Sequence, residues 1–182
     1  MQESAKWVID PSHTKVGFSV RHFGISETDG FFRSYAATLT SGKEDFSDLA
    51  VNVTVQVDSI DTNDAQRDAH LKADDFFNAE KFPEMKFEST RLETTSIANQ
   101  YKMHGNLTIR DITRPVVLDL EFAGVVPKDP FGNTKAGFFI SGSINRQDFG
   151  LSFNVLLGTG NLAVSDKVKI NIPVQLVKLA QL

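Results

Sequence analysis

The sequence predicts an all-β chain: about eight antiparallel strands closing into a barrel, interrupted once by a short helical insert at about residues 61–83. Three observations carry this prediction. Apolar and polar residues alternate with a period of two from one end of the chain to the other. Clusters of Gly, Pro, Asn, Asp and Ser separate the alternating runs. Helix-start signals appear in one stretch only.

The first run has Val16, Phe18, Val20 and His22 on one face and Lys15, Gly17, Ser19 and Arg21 on the other. A less regular second run covers 30–40 and ends at the Ser41-Gly42 turn. In the third, Val51, Val53, Val55 and Val57 oppose Asn52, Thr54, Gln56 and Asp58. The insert follows. Asn63 with Gln66 has the form of a capping box, Ala65, Ala69 and Leu71 supply an apolar stripe, and Asn78–Lys81 reads as a second helical turn closed by Phe82-Pro83. The strands then resume at 84–93. Next, Met103, Gly105, Leu107 and Ile109 oppose Lys102, His104, Asn106, Thr108 and Arg110. Val116, Leu118, Leu120 and Phe122 oppose Val117, Asp119 and Glu121. After the 129–133 turn come 135–145, the Gly158–Asn161 turn, and a last run with Val168, Ile170, Ile172 and Val174 on one face. Gly30, Gly137 and Gly142 interrupt strands, where glycine marks a bulge or a sharp bend. Such strands can pack as a sandwich or close into a barrel. Closure is favoured because it removes exposed edges.

The totals exclude several classes. A chain of 182 residues, 41% apolar and 23% charged, suits one globular domain spanning 1–182. A net charge of -4 argues against a nucleic-acid surface, and no apolar run is long enough for stable insertion into a membrane as a helix. The absence of cysteine removes disulfides and thiolate chemistry. Fifteen Phe stand against two Tyr and one Trp, a balance that suits a dry interior. No basic start followed by an apolar stretch precedes Trp7, so no signal peptide is read. The expected location is therefore periplasmic or secreted if a leader has been removed, and cytoplasmic otherwise.

The sequence carries no complete catalytic pattern. The four histidines, His13, His22, His70 and His104, have no metal-ligand spacing, and His104 falls on a polar strand face. There is no nucleophile elbow, P-loop or dinucleotide fingerprint. Asp74, Asp75 and Asp148 are the carboxylates placed to do acid–base work. Arg146, two residues from Asp148, suggests a structural ion pair instead. Asn52-Val53-Thr54 and Asn106-Leu107-Thr108 match the glycosylation tripeptide but lie mid-strand. The expectation is that the protein is not an enzyme and uses neither a metal nor a cofactor.

Several segments together resemble one family. They are Trp7-x-Ile9-Asp10-x-x-His13, Val16-x-Phe18-x-Val20-x-His22, Gly30-x-Phe32, Ser59-Ile60-Asp61-Thr62 and Arg67-Asp68-x-His70-Leu71. Asp75-Phe76-Phe77-x-Ala79-x-x-Phe82-Pro83, Phe87-x-Ser89-Thr90, Gly105-x-Leu107-Thr108-Ile109 and Arg146-x-Asp148-Phe149-Gly150 follow. In this order they resemble the YceI family of bacterial polyisoprenoid-binding proteins, over nearly the whole chain. One departure is Asp111, where many members have Gly.

The resemblance implies a lipocalin-like eight-stranded barrel, a helical segment at one end, and an interior pocket for an isoprenoid, a quinone or a fatty-amide-like amphiphile. Members are often exported and often dimeric, so the expected partners are a long-chain lipid or isoprenoid and a second copy in a homodimer, with no nucleic acid. If the apolar faces point inward, the expected ligand-binding residues are Val16, Phe18, Val20, His22, Phe32, Val53, Val55, Val57, Phe87, Leu107, Ile109, Leu120, Phe122, Phe138, Ile144 and Phe149. Arg67, Asp68 and His70 on the insert either fix it or meet a head group, and Phe76, Phe77 and Phe82 line or plug one mouth. Two other readings remain open: a filled barrel serving as an interaction module in a stress-related or membrane redox system, and a lipid-acting enzyme using His22 or Asp148.

Overall fold

The computed structural model describes residues 5–160 and 162–179. The polar stub before Ala5 and Asn161 of the expected turn lie outside the described residues. The strands are β1 (Ala5–Ile9), β2 (Val16–His22), β3 (Ser26–Phe32), β4 (Tyr35–Ser41), β5 (Ala50–Gln56) and β6 (Ile60–Asp61). After the helix α1 (Ala65–Lys72) come β7 (Glu84–Thr94), β8 (Gln100–Ile109), β9 (Ile112–Val126), β10 (Lys135–Asn145) and β11 (Val164–Lys178).

Three pairs of short strands act as single bent staves. Both β1 and β2 pair with β11, β4 and β3 pair back onto β1 and β2, and β5 and β6 pair onto β4 and β3. Every stave is antiparallel to its sequence neighbours, and β11 returns to the first stave. The product is an eight-stranded, closed, antiparallel barrel with one short helix. Closure leaves no long edge for another chain to extend.

Alternation located the staves but understated their reach. The first begins at Ala5 rather than near residue 15, and the 116–122 run extends to Ile112–Val126. The run at 30–40 breaks at Arg33-Ser34, because those residues bond to the neighbouring stave: Arg33 N donates to Ser59 O, and Gln56 N donates to Ser34 O.

The glycines divide by role. At Gly137 the β9–β10 register shifts, so Ala123 is bulged opposite it. Gly30 and Gly142 make no bulge. A Cβ on Gly30 would lie 2.3 Å from the Phe18 ring, and one on Gly142 would lie 2.9 Å from Leu118. Both are sites of close approach.

The insert differs most from expectation. Asp64, not Asn63, caps α1, accepting from the amides of Gln66 and Arg67 at 3.0 Å. Asn63 is held at φ 63° by its own amide donating to Asp61, which delivers Asp64 in the extended conformation a cap needs. Ala65 and Ala69 are exposed, and only Leu71 of the expected stripe is half-buried. Residues 78–81 form turns rather than a helix. The amides of Phe77, Asn78 and Ala79 donate back to Leu71, Ala73 and Lys72, so they close α1 instead of propagating a second helix.

Candidate functional site: a hollow lumen and its mouth

Inward side chains divide along the barrel axis. At the end bearing the β4–β5 loop they meet in a close-packed floor of Trp7, Leu39, Phe46, Leu49, Phe122, Phe138 and Leu176, among others. Phe46 is the keystone. It hangs inward from that loop at φ 55°, is 2% exposed, and sits 5.1 Å from Trp7, 5.2 Å from Phe122 and 5.0 Å from Phe138 between ring centroids. Asp48 ties the loop down by accepting from Ser41 Oγ and from the amides of Gly42 and Lys43. Burial works against its charge, but the hydrogen bonds from Ser41, Gly42 and Lys43 prevail and hold its pKa low.

Above the floor the side chains do not meet. A cavity of about 570 Å3 rises from Leu39, Val51, Met103, Leu118, Ile140 and Val174 to the end carrying α1. Its wall is almost wholly aliphatic and aromatic. Two of its phenylalanines are kept out of the space by glycine on the adjacent strand. The Phe18 ring lies against Gly30, and the Phe87 ring lies 2.4 Å from where a Cβ of Gly105 would be. Each ring thus rests along the wall instead of crossing the lumen.

The mouth is framed by the β2–β3 turn, α1 with the turns after it, and the segment that carries Leu151 and Phe153. Phe76, His70 and Phe153 form an aromatic triad there, with centroids 4.9–5.1 Å apart. Arg146 braces the segment from beneath. Its guanidinium, 2% exposed by residue, donates to the carbonyls of Leu151, Phe153, Val164 and Ser165 and meets Asp166 at 3.4 Å. Burial lowers its pKa, and Asp166 partly opposes the shift. The expected Arg146–Asp148 pair is not formed: Asp148 is exposed, and its backbone carbonyl accepts from Arg114. Four backbone carbonyls and Asp166 capture the guanidinium before its near neighbour in sequence can.

The structure brings most of the sequence-expected residues together. Val16, Phe18, Val20, His22, Phe32, Val53, Val55, Arg67, His70, Phe76, Phe77, Phe87, Leu107, Ile109 and Ile144 all line the cavity. The other seven lie elsewhere. Leu120, Phe122 and Phe138 belong to the floor, because that end of the barrel is filled. Val57 and Phe149 are 1% exposed in the packing behind the mouth. Phe82 lies outside the wall beneath the Arg110 guanidinium, 5.5 Å from its ring centroid. Asp68 accepts from the amide and hydroxyl of Thr62 and so anchors α1.

The polar side chains at the mouth are engaged within the protein. Arg67 donates to the Thr62 hydroxyl and carbonyl, and His70 pairs with Asp75 at 2.9 Å. His22 stacks on Phe23 at 3.7 Å. Asp148 does not line the cavity, so it is not brought together with His22. His104, on the polar face of its strand, meets Glu93 at 2.8 Å.

Sequence reasoning passed over Phe46, Phe153 and Tyr35. Phe46 had one signal, a lone aromatic in the polar run Glu44-Asp45-Phe46-Ser47-Asp48. Tyr35 had a faint one, standing in line with Ala37 and Leu39 on one face of β4, and Phe153 had none, since it continues no alternating face.

Comparison with known proteins agrees with this geometry. A family model described as YceI-like domain matches residues 7–176. A UPF0312 protein of Photorhabdus laumondii is 40% identical over 141 residues, covering 78% of this chain and 72% of its own. The YceI protein of Campylobacter jejuni, of known crystal structure, is 33% identical with a TM-score of 0.73, covering 96% of this chain and 98% of its own. A domain of Saccharophagus degradans described as polyisoprenoid-binding shares the fold at 9% identity, with a TM-score of 0.69 and coverage of 95% and 98%. The chain belongs to the YceI family.

Proposed function

We propose that the barrel binds the apolar chain of a polyisoprenoid, a quinone or a fatty-amide-like amphiphile, and so carries or sequesters it. One observation carries the reading: an apolar lumen of about 570 Å3, floored by packed aromatics at one end and reaching a mouth at the other. That volume lies within the range of roughly 300–1,000 Å3 usual for ligand pockets. The likeness to a polyisoprenoid-binding domain supports the choice of chain type. Each buried methylene contributes about 0.8 kcal/mol, so a chain is held without hydrogen bonds and with little discrimination between lengths.

The lumen offers little to chemistry. Among the described residues its ionisable lining is His22, Tyr35, Arg67, His70, Lys86 and Arg146, with no carboxylate. This favours binding over catalysis. Organic extraction of freshly purified protein followed by mass spectrometry tests the reading. A stoichiometric lipid is expected. An empty extract, with no thermal shift on adding isoprenols, quinones or long-chain amides, would sink it.

A further inference from the structure

The barrel wall has a seam. Among the described residues, the first and second staves exchange no backbone hydrogen bonds between the pair Trp7↔Leu39 and the pair Val16↔Phe32. Each bonds to its other neighbour instead. Asp10 N and Lys15 N donate to Gln175 O and Pro173 O, while Arg33 N donates to Ser59 O. An outer cleft of about 500 Å3 lies over this gap. Ile9, Thr14, Val16, Phe32, Tyr35 and Ala37 line both the cleft and the lumen, so the two share one wall. Across it the Tyr35 hydroxyl donates to the Thr14 carbonyl at 3.4 Å, a long and weak bond.

The outer side of the seam is cationic. Besides the Tyr35 phenol, its ionisable lining is Lys15 and Arg33, with no carboxylate among the lining residues. The Lys15 ammonium stands 5.1 Å over the Phe31 ring and has no carboxylate partner among the described residues. Arg33 gives Nε to Asp61 at 2.6 Å, leaving its two terminal nitrogens without a hydrogen bond among the described residues. This contrasts with the mouth, where Arg67 and Arg146 are already bonded.

Resting on the carrier reading above, we infer that the seam is a lateral head-group site. The chain lies in the lumen, and an anionic head group, a phosphate or carboxylate, passes between Thr14 and Tyr35 to meet Lys15 and Arg33.

The test compares binding of farnesol, farnesyl monophosphate and inorganic phosphate by calorimetry. Wild type is expected to prefer farnesyl monophosphate to farnesol by roughly tenfold, the scale of one or two charge-assisted hydrogen bonds. The preference should weaken with salt. In the K15Q/R33Q variant it should vanish with farnesol affinity unchanged, whereas K43Q/K167Q, which makes the same change in net charge elsewhere, should keep it. Equal affinity of wild type for farnesol and its phosphate would overturn the head-group site and leave the carrier reading standing. So would a preference that survives K15Q/R33Q or falls instead in R67Q, which would put the head at the mouth. Inorganic phosphate binding as tightly as the prenyl phosphate would show an anion site unrelated to the lumen and overturn it too. If neither farnesol compound binds, the head-group site falls, and the carrier reading falls with it only when the organic extract is also empty and quinones and long-chain amides give no thermal shift.

Discussion

The two ends of this barrel are built from the same staves and hold opposite interiors. At the floor, Phe46, Phe122 and Phe138 meet with ring centroids 5.0–5.3 Å apart, and Leu176 is fully buried. Toward the mouth, Phe18 and Phe87 lie back on Gly30 and Gly105, and Ile170 and Ile172 are only partly buried because the lumen is open beside them. Strand patterning is alike at both ends, so patterning does not decide whether a barrel is filled. A loop does at one end, by inserting Phe46. At the other, two glycines decide it by giving aromatic rings a place on the wall. The floor is held by packing and the mouth segment by hydrogen bonds to one buried arginine.

This contrast can be broken from either side. Phe46→Ala is expected to have the largest effect, about 3–5 kcal/mol of lost stability in denaturant unfolding, since a keystone aromatic leaves a cavity its neighbours cannot fill. A loss below about 1 kcal/mol would mean that the floor is not close-packed. At the other end, Arg146→Leu should cost about 3 kcal/mol, because four carbonyls and Asp166 lose their donor. Arg146→Lys should recover little of it, as one ammonium cannot span that set. A well-tolerated Arg146→Leu would show that the segment carrying Leu151 and Phe153 stands without its brace.

The contrast is sharpest within one strand. On the inward face of β11, Leu176→Ala should cost about 3 kcal/mol and Ile170→Ala about 1 kcal/mol, since only the first leaves a new void in packed surroundings. Equal losses, measured by urea unfolding, would mean that the lumen near Ile170 is filled.

The smallest effect concerns the bend between β1 and β2. Asp10 accepts from the Ser12 hydroxyl and amide, His13, Lys135 and Gln175. The Ser12 hydroxyl chiefly, against some burial cost, and then His13 and Lys135 hold its carboxyl well below the usual range. A depressed carboxylate pKa contributes stability that is complete above the unfolded value, near about 4, and is lost as pH falls through the folded one. Asp10→Asn should therefore cost about 1 kcal/mol at neutral pH, and less as the medium is acidified. A cost independent of pH would detach this carboxylate from the bend.

Much of the fold was legible because alternation reports directly on half-buried strands. The inward sets on β5, β8, β9 and β11 fall where period two puts them. Local polar chemistry was less legible. Asn63 and Asp64 are both good caps, and the choice between them depended on Asp61 accepting the Asn63 amide. Arg146 and Asp148 are neighbours in sequence, but the partners that captured the arginine come from residues 151–166. The site was legible for the wall residues and not for the floor, since Phe122 and Phe138 share the wall's alternation and differ only in what faces them.

By itself, then, the sequence determined about where the barrel's strands lie and which face of the regular ones turns inward, because these follow from local periodicity and turn chemistry. Only the tertiary structure decided how far down the barrel is hollow, where Arg146 finds its partners, and that the wall opens into a seam beside Tyr35. Each of those depends on contacts between residues distant along the chain. A period-two pattern says which way a side chain points, but not whether it will find another one there.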